Sequence, residues 1–102
     1  MLQELDDTAG AAHAMDSLAY IHRQLGDRHQ AIACYQQASD LFQEVGDSQG
    51  AADALTVLGD LHDDNEDVEA ACAARRQALD ILSRLGHPGA EQVRAKLTSR
   101  GG

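Results

Sequence analysis

The residues best suited to chemistry form an acidic segment in the second half of the chain. Its members are Asp60, Asp63, Asp64, Glu66, Asp67 and Glu69. Asp63, Asn65 and Asp67 alternate as the first ligands of a calcium loop do. Such a loop needs glycine next, where Val68 stands, and glutamate at its last place, where Ala74 stands. Helix capping is therefore the better interpretation, with Asn65 or Asp67 accepting backbone N–H groups at a helix start.

Histidines and cysteines are the remaining candidates for metal or redox chemistry. The histidines are His13, His22, His29, His62 and His87. A zinc site needs His or Cys ligands at short spacings, such as i and i+4 on one helix face, and no histidine has a histidine or cysteine at such a spacing. His22 and His62 lie forty residues apart, which favours a structural, partly buried place between helices. Cys34 and Cys72 lie outside any CxxC motif and indicate reduced packing residues of a cytoplasmic protein.

Motifs of the common enzyme classes are absent from the sequence. It has no nucleophile elbow, P-loop, GxGxxG or HExxH, so we predict no catalytic residue, no cofactor and no metal. The formal net charge of −9 disfavours direct contact with nucleic acid or an anionic membrane. It favours a basic partner, or only a solvated surface. No apolar run is long enough to span a bilayer.

The segment from Gly26 to Gly46 reads as one amphipathic helix with a start and a stop. Asp27 is placed to cap it, with Gln30 three residues on as in a capping box. Apolar side chains recur at three- and four-residue steps, namely Ala31, Tyr35, Ala38, Leu41, Phe42 and Val45. Gly46 suits the end of the helix, where a positive φ is needed.

This pattern returns after forty residues, which is typical of stacked helical repeats. The segment from Gly26 to Gly46 matches that from Glu66 to Gly86, and residues 10–18 match residues 50–58. The predicted helices are 10–25, 28–45, 50–64 and 68–85, followed by a shorter helix over 90–99. Because the connections are short, we expect neighbouring helices to pack antiparallel.

The repeats divide the chain into five parts. Residues 1–7 match the end of a repeat helix, so we interpret them as the end of a preceding repeat in a longer array. The alternative is a native start with a short helical stub. Residues 8–46 form the first repeat, 47–86 the second, 87–100 a capping helix and 101–102 a disordered tail. In the capping helix, Val93 and Leu97 are placed to cover the open edge of the last repeat.

The residue pattern of each repeat resembles the tetratricopeptide repeat. The residues that carry the resemblance are Met15, Leu18, Ala19, Ala31, Tyr35 and Ala38 in the first copy, and Leu55, Leu58, Gly59, Ala71, Arg75 and Ala78 in the second. Arg75 departs from the expected aromatic, and Glu66 stands where the first copy has Gly26. The forty-residue period resembles the arrays that end large bacterial signalling and transcriptional regulators, and those of kinesin light chain-like proteins.

The resemblance implies an all-α, right-handed solenoid of antiparallel helix hairpins, with two repeats and a C-terminal capping helix. It further implies a non-catalytic module that binds a protein or peptide in a groove formed by the first helix of each repeat. By the family pattern, the groove residues would be His13, Asp16, Tyr20, Arg23, Asp53, Thr56, Asp60 and Asp63. The acidic second half of this set suggests a basic ligand, or only a solvated face.

Self-association is the alternative function. Leu2, Leu5, Met15 and Leu18 would form an apolar edge that a preceding repeat covers, or that pairs with a second copy to give a homodimer.

Overall fold

Two helical hairpins followed by one further helix make up the fold. The structure, a computed structural model, describes the backbone of residues 2–99 and the side chains of residues 7–98. Its helices are α1 (Leu2–Gln24), α2 (Arg28–Glu44), α3 (Ser48–Asp64), α4 (Val68–Leu85) and α5 (Gly89–Ser99), and residues 2–99 contain no strand. Each helix packs against the next one along the chain. The predicted all-α solenoid of two repeats and a capping helix is confirmed.

The same backbone turn ends each of the first four helices. It is centred on a residue with φ between 60° and 80°, which is Gly26, Gly46, Glu66 or Gly86. The N–H of the following residue donates to the carbonyl five residues earlier, at 2.8–2.9 Å. This bond satisfies a carbonyl that the end of the helix would otherwise leave without a partner. These turns recur every twenty residues, which is half the sequence period.

Aspartate side chains begin three of the helices. Oδ1 of Asp27, Asp47 and Asp67 accepts the backbone N–H three residues further on, at 3.3, 2.9 and 3.1 Å respectively. Each such cap contributes about 1 kcal/mol. Of the two capping options for the acidic segment, Asp67 is the N-cap of α4, whereas Asn65 lies at the C-terminal end of α3.

Helix α1 is longer than the sequence indicated. The prediction that it begins near Gly10 is wrong, because the helix is continuous from Leu2. Asp6 stands forty residues before Gly46, but the backbone remains helical through Asp6, whereas it turns at Gly46. The interpretation of residues 1–7 as the end of a preceding repeat stays a prediction, and the predicted tail at 101–102 lies outside the described residues.

The core lies where α2, α3 and α4 meet. Leu55 and Leu58 on α3 are the largest side chains that are fully buried in the described part of the chain. Buried alanines along α2, α3 and α4 let these helices approach closely, which favours dispersion contacts between them. Val93 and Leu97 of α5 are also buried, so their predicted role as a cover over the last repeat is confirmed.

Candidate functional site

The predicted groove residues lie on the first helix of each hairpin, α1 and α3, and all are accessible to solvent. His13, Tyr20, Arg23 and Asp53 are exposed, whereas Asp16, Thr56, Asp60 and Asp63 are half-buried. Burial raises the pKa of Asp16 above its ordinary value, and the negative charge of Asp53 raises it further against the opposing effect of His13. The carboxylates of Asp16 and Asp53 thus lie close enough across α1 and α3 to repel each other.

An aromatic contact supports the α1 side of this junction. The ring of His13 meets the ring of Phe42 edge to face, with centroids 5.1 Å apart and planes at 80°. Phe42 in turn lies against α3 at Gly50, where a Cβ atom would come within 2.6 Å of the ring. Phe42 therefore fixes the spacing between the two hairpins beside Asp16 and Asp53.

Tyr35 lies buried beneath the groove in the first repeat. Burial raises the pKa of its hydroxyl, and the nearby charge of Asp16 adds to this effect, while a hydrogen bond from Arg23 opposes it. Tyr35 therefore connects the second helix of the hairpin to two predicted groove residues on the first.

Arg75 takes the place of Tyr35 in the second repeat, forty residues later. Its side chain is only 4 % exposed, with Nη2 2.9 Å from Asp60 Oδ1 and Nη1 2.8 Å from Asp63 Oδ2. Lys96 of α5 reaches the same Asp60 oxygen, with its Nζ at 2.9 Å. Burial alone would raise the pKa of Asp60, but the hydrogen bonds from Lys96 and Arg75 hold it below its ordinary value. Asp60 and Asp63 are therefore engaged in internal ion pairs.

In the repeat pattern Arg75 is only a departure from the expected aromatic, and the pattern alone does not connect it with these two acids. The signal was present in the forty-residue register, where Tyr20, Arg23 and Tyr35 become Asp60, Asp63 and Arg75. In the first repeat the positive charge stands on the first helix of the hairpin, and in the second repeat it stands on the second helix. When a positive charge moves from the first helix of a hairpin to the second helix at matched positions, the pattern suggests that these positions lie in contact.

A cleft of about 390 Å³ opens between α3 and α5. Val57, Leu82 and Val93 supply its apolar lining, and Asp53 and Thr56 are the groove residues that border it. Lys96 also lines the cleft, where its ion pair with Asp60 links the two helices. The sequence pattern predicts only a capping role for α5, and the cleft that α5 borders is not evident from that pattern.

The remaining candidates from the sequence have structural surroundings. His22 and His62 are half-buried, as predicted, and their carbonyls accept the turn hydrogen bonds of Asp27 and Asp67. Cys34 and Cys72 are buried free thiols. Among the described residues, no three His, Cys, Asp or Glu side chains are grouped as a metal site requires. Within the same range, no helix has the length and apolar character needed to cross a membrane.

Comparison with known families agrees with this architecture. A family model described as tetratricopeptide repeat matches residues 7–84. The match covers α2 and α3 completely, α1 from Asp7 onward and α4 up to Arg84, and it ends before α5. A search among curated proteins gave no match. The resemblance that the sequence pattern indicated is therefore confirmed.

Proposed function

Because the chain belongs to the tetratricopeptide repeat family, we propose that it is a non-catalytic module that binds a protein or peptide along α1 and α3. Repeats of this family are protein–protein interaction modules. The observation that carries the proposal is the placement of all eight predicted groove residues at accessible positions on these two helices. Tyr20 is the most exposed aromatic among them and is the side chain best suited to anchor a partner.

The charges on this face support a basic partner. Arg75 and Lys96 already neutralise Asp60 and Asp63, so these two acids have little attraction left for a ligand. Asp16 and Asp53 repel each other, and a cation bound between them would relieve that repulsion. We therefore assign the basic preference to Asp16 and Asp53. With a net charge of −9, we propose no direct contact with nucleic acid or membrane.

A random peptide library displayed on phage tests the module directly. Peptides selected on the wild-type protein should bind Tyr20→Ala about thirtyfold more weakly, because a tyrosine that anchors an interface contributes about 2 kcal/mol of binding energy. Arg76→Ala is the control, since Arg76 is also exposed to solvent but lies on α4. Selected peptides that bind Tyr20→Ala and wild type equally would place the binding face elsewhere and contradict the proposal.

Self-association is the second candidate, and a contrast between the two repeats favours it. Leu18 and Ile21 on α1 are 42 % and 51 % exposed, whereas Leu58 and Leu61 at the matching places on α3 are 0 % and 3 % exposed. Helix α2 packs against α3, and no helix in the described residues covers the corresponding face of α1. A second copy pairing through α1 would bury this apolar face.

Sedimentation equilibrium over a wide concentration range tests the homodimer. The wild type should shift from monomer to dimer with concentration, and Leu18→Asp should remain a monomer with the same helicity. A wild-type mass that stays at one chain throughout would contradict self-association. Leu2 and Leu5, which we predicted to extend this edge, lie outside the described side chains.

We further propose that the chain is a fragment of a larger bacterial regulator and acts in the cytoplasm. The support is the forty-residue period together with the sequence from Leu85 to Leu97, which resembles the ends of such regulators. The sequence of the complete open reading frame that contains this segment tests the proposal. A frame that encodes no other domain would contradict it.

A further inference from the structure

The cleft between α3 and α5 has an apolar interior and one charged border. Leu82 and Val93 line it and are almost fully buried, and Val57, which also lines it, is half-buried. Thr56 also lines it, but its hydroxyl donates within α3 to the carbonyl of Ala52 at 2.8 Å. His87 and Gln92 also line the cleft and are exposed to solvent. The apolar side chains of Val57, Leu82 and Val93 therefore offer a contact surface for an apolar group.

The two charged residues that line the cleft differ in their availability. Lys96 is already paired with Asp60 at 2.9 Å. Asp53 is exposed, and its Oδ1 accepts a hydrogen bond from Gln49 Nε2 at 3.0 Å, while no ion pair of Asp53 occurs among the side chains of residues 7–98. Asp16 adds a second negative charge close to Asp53. The border at Asp53 therefore attracts a cation, whereas an anion would have to draw Lys96 away from Asp60.

We propose that this cleft receives one aliphatic side chain of an extended peptide, and that a lysine or arginine next to it pairs with Asp53 and Asp16. The inference rests on the proposed peptide-binding function and names the class of segment bound. A volume of about 390 Å³ lies at the lower end of the range for ligand pockets, which suits one side chain and its backbone rather than a larger ligand. The apolar side chain supplies affinity, and the basic residue supplies selectivity.

Chemical-shift mapping with short synthetic peptides tests this site. The probe is an acetylated Gly-Ser peptide that carries one leucine between two lysines, titrated into the ¹⁵N-labelled protein. We expect the largest shifts at the amides of Val57, Gln92 and Val93. Replacing the leucine of the peptide by serine should weaken binding about tenfold or more. Replacing both lysines of the peptide by serine should weaken binding. Replacing both by glutamate should weaken binding further, because Asp53 and Asp16 repel the glutamates.

Protein variants separate the charge contribution from the fold. Asp53→Asn should weaken the leucine–lysine peptide about two- to fivefold, as expected for an exposed ion pair. Asp40→Asn is a closely matched control, because Asp40 is also exposed and accepts a hydrogen bond from a glutamine four residues earlier, at 3.2 Å. It lies on α2 and should leave the affinity unchanged.

Three outcomes would overturn the inference. They are no shift at the cleft amides with millimolar peptide, equal binding of the leucine and serine peptides, and equal losses in Asp53→Asn and Asp40→Asn. If phage-selected peptides bind through Tyr20 while the cleft amides stay unchanged, the proposed function stands and only this site fails. If neither set of peptides binds, the proposed function fails as well.

Discussion

The side chain of Arg75 on α4 lies directly against Gly59 on α3. A Cβ atom on Gly59 would come within 2.8 Å of Arg75 Cγ and 3.1 Å of its Nε. These atoms belong to the part of the arginine that its two ion pairs hold in place, so they cannot move aside without cost. We expect Gly59→Ala to lower the free energy of unfolding by about 1–3 kcal/mol, measured by urea denaturation.

Gly10→Ala is the control for this prediction. Gly10 also lies inside a helix, but among the described residues no atom outside the neighbouring backbone of that helix lies within 4 Å of the place where its Cβ would stand. This substitution should therefore show only the higher helix propensity of alanine and stabilise the protein by up to about 1 kcal/mol. If Gly59→Ala stabilises the protein as Gly10→Ala does, the contact with Arg75 does not oppose a side chain at position 59.

Removal of the Arg75 side chain should have a large effect on stability. Arg75→Ala leaves Asp60 and Asp63 without the guanidinium and opens a void beneath the groove. We expect a loss of about 3 kcal/mol, at the lower end of the range for broken buried pairs because the Asp60 side chain is 34 % exposed. Thermal or urea unfolding followed by circular dichroism gives the value.

An exposed arginine on the same helix provides the comparison. Arg84 is 77 % exposed and pairs with Asp80 at 2.9 Å, four residues before it. Arg84→Ala should cost only about 0.3–0.5 kcal/mol. Equal losses in the two variants would mean that the burial of Arg75 does not decide its contribution.

Glu66 is strained in the turn between α3 and α4. Its φ of 60° is the conformation that glycine adopts in the other three turns. A residue with a side chain in this conformation lowers the stability of the folded state by roughly 1–2 kcal/mol. Glycine removes this strain, but it also increases the conformational entropy of the unfolded chain, which offsets part of the gain. Glu66→Gly should therefore stabilise the protein by about 0.5–1 kcal/mol in urea unfolding.

The reverse exchange at the preceding turn checks this reasoning. Gly46 has a φ of 77° and open space around its Cβ position, so Gly46→Glu introduces backbone strain without a steric clash. It should destabilise the protein by about 1 kcal/mol. A neutral result for both variants would show that these turns tolerate any residue.

Protonation of Asp60 should weaken the fold in acid. Its pKa is lower in the folded protein than in the unfolded chain, where it is about 3.9, because Lys96 and Arg75 donate hydrogen bonds to it. The unfolded state therefore binds the proton more readily, and the stability from this group is complete above about pH 4 and is lost as the pH falls through the folded pKa. Urea midpoints measured from about pH 2 to pH 6 should fall less steeply below pH 4 in Asp60→Asn.

Asp16 should show the opposite sign. Its pKa is raised, so the folded state binds the proton more readily and loses stability as the pH rises from about 4 through the raised value. Asp16→Asn should therefore increase the urea midpoint at neutral pH. A decrease at neutral pH would contradict the repulsion that we describe between Asp16 and Asp53.

Local rules predicted the helices well because each boundary has its own chemical signal. Asp27 and Gly46 mark the ends of α2, and the forty-residue register transfers that signal to α4. Helix α1 was predicted too short because its start was placed by matching Gly10 to the helix start at Gly50. A matching position does not guarantee a matching turn, because Asp6, forty residues before Gly46, lies within α1.

The candidate site was predictable in position but not in charge. Helical periodicity identified the accessible face of α1 and α3, yet it could not show that Arg75 approaches Asp60 and Asp63 from α4. The cleft beside Val93 depends on the angle at which α5 packs, which no local pattern encodes. The helices could be predicted from the sequence, whereas the contacts between helices required the three-dimensional structure.

The equivalence of the turns makes the second hairpin an interchangeable building block. The backbone enters it at Gly46 and leaves it at Gly86 with nearly the same φ, 77° and 65°, and with the same hydrogen bond to a carbonyl five residues back. Tandem duplication of residues 47–86 would therefore join end to end without a new linker. A longer array made in this way should keep its helicity and unfold at a higher temperature. An insertion of about two further residues within a helix, roughly half a turn, would rotate the following residues away from their contacts.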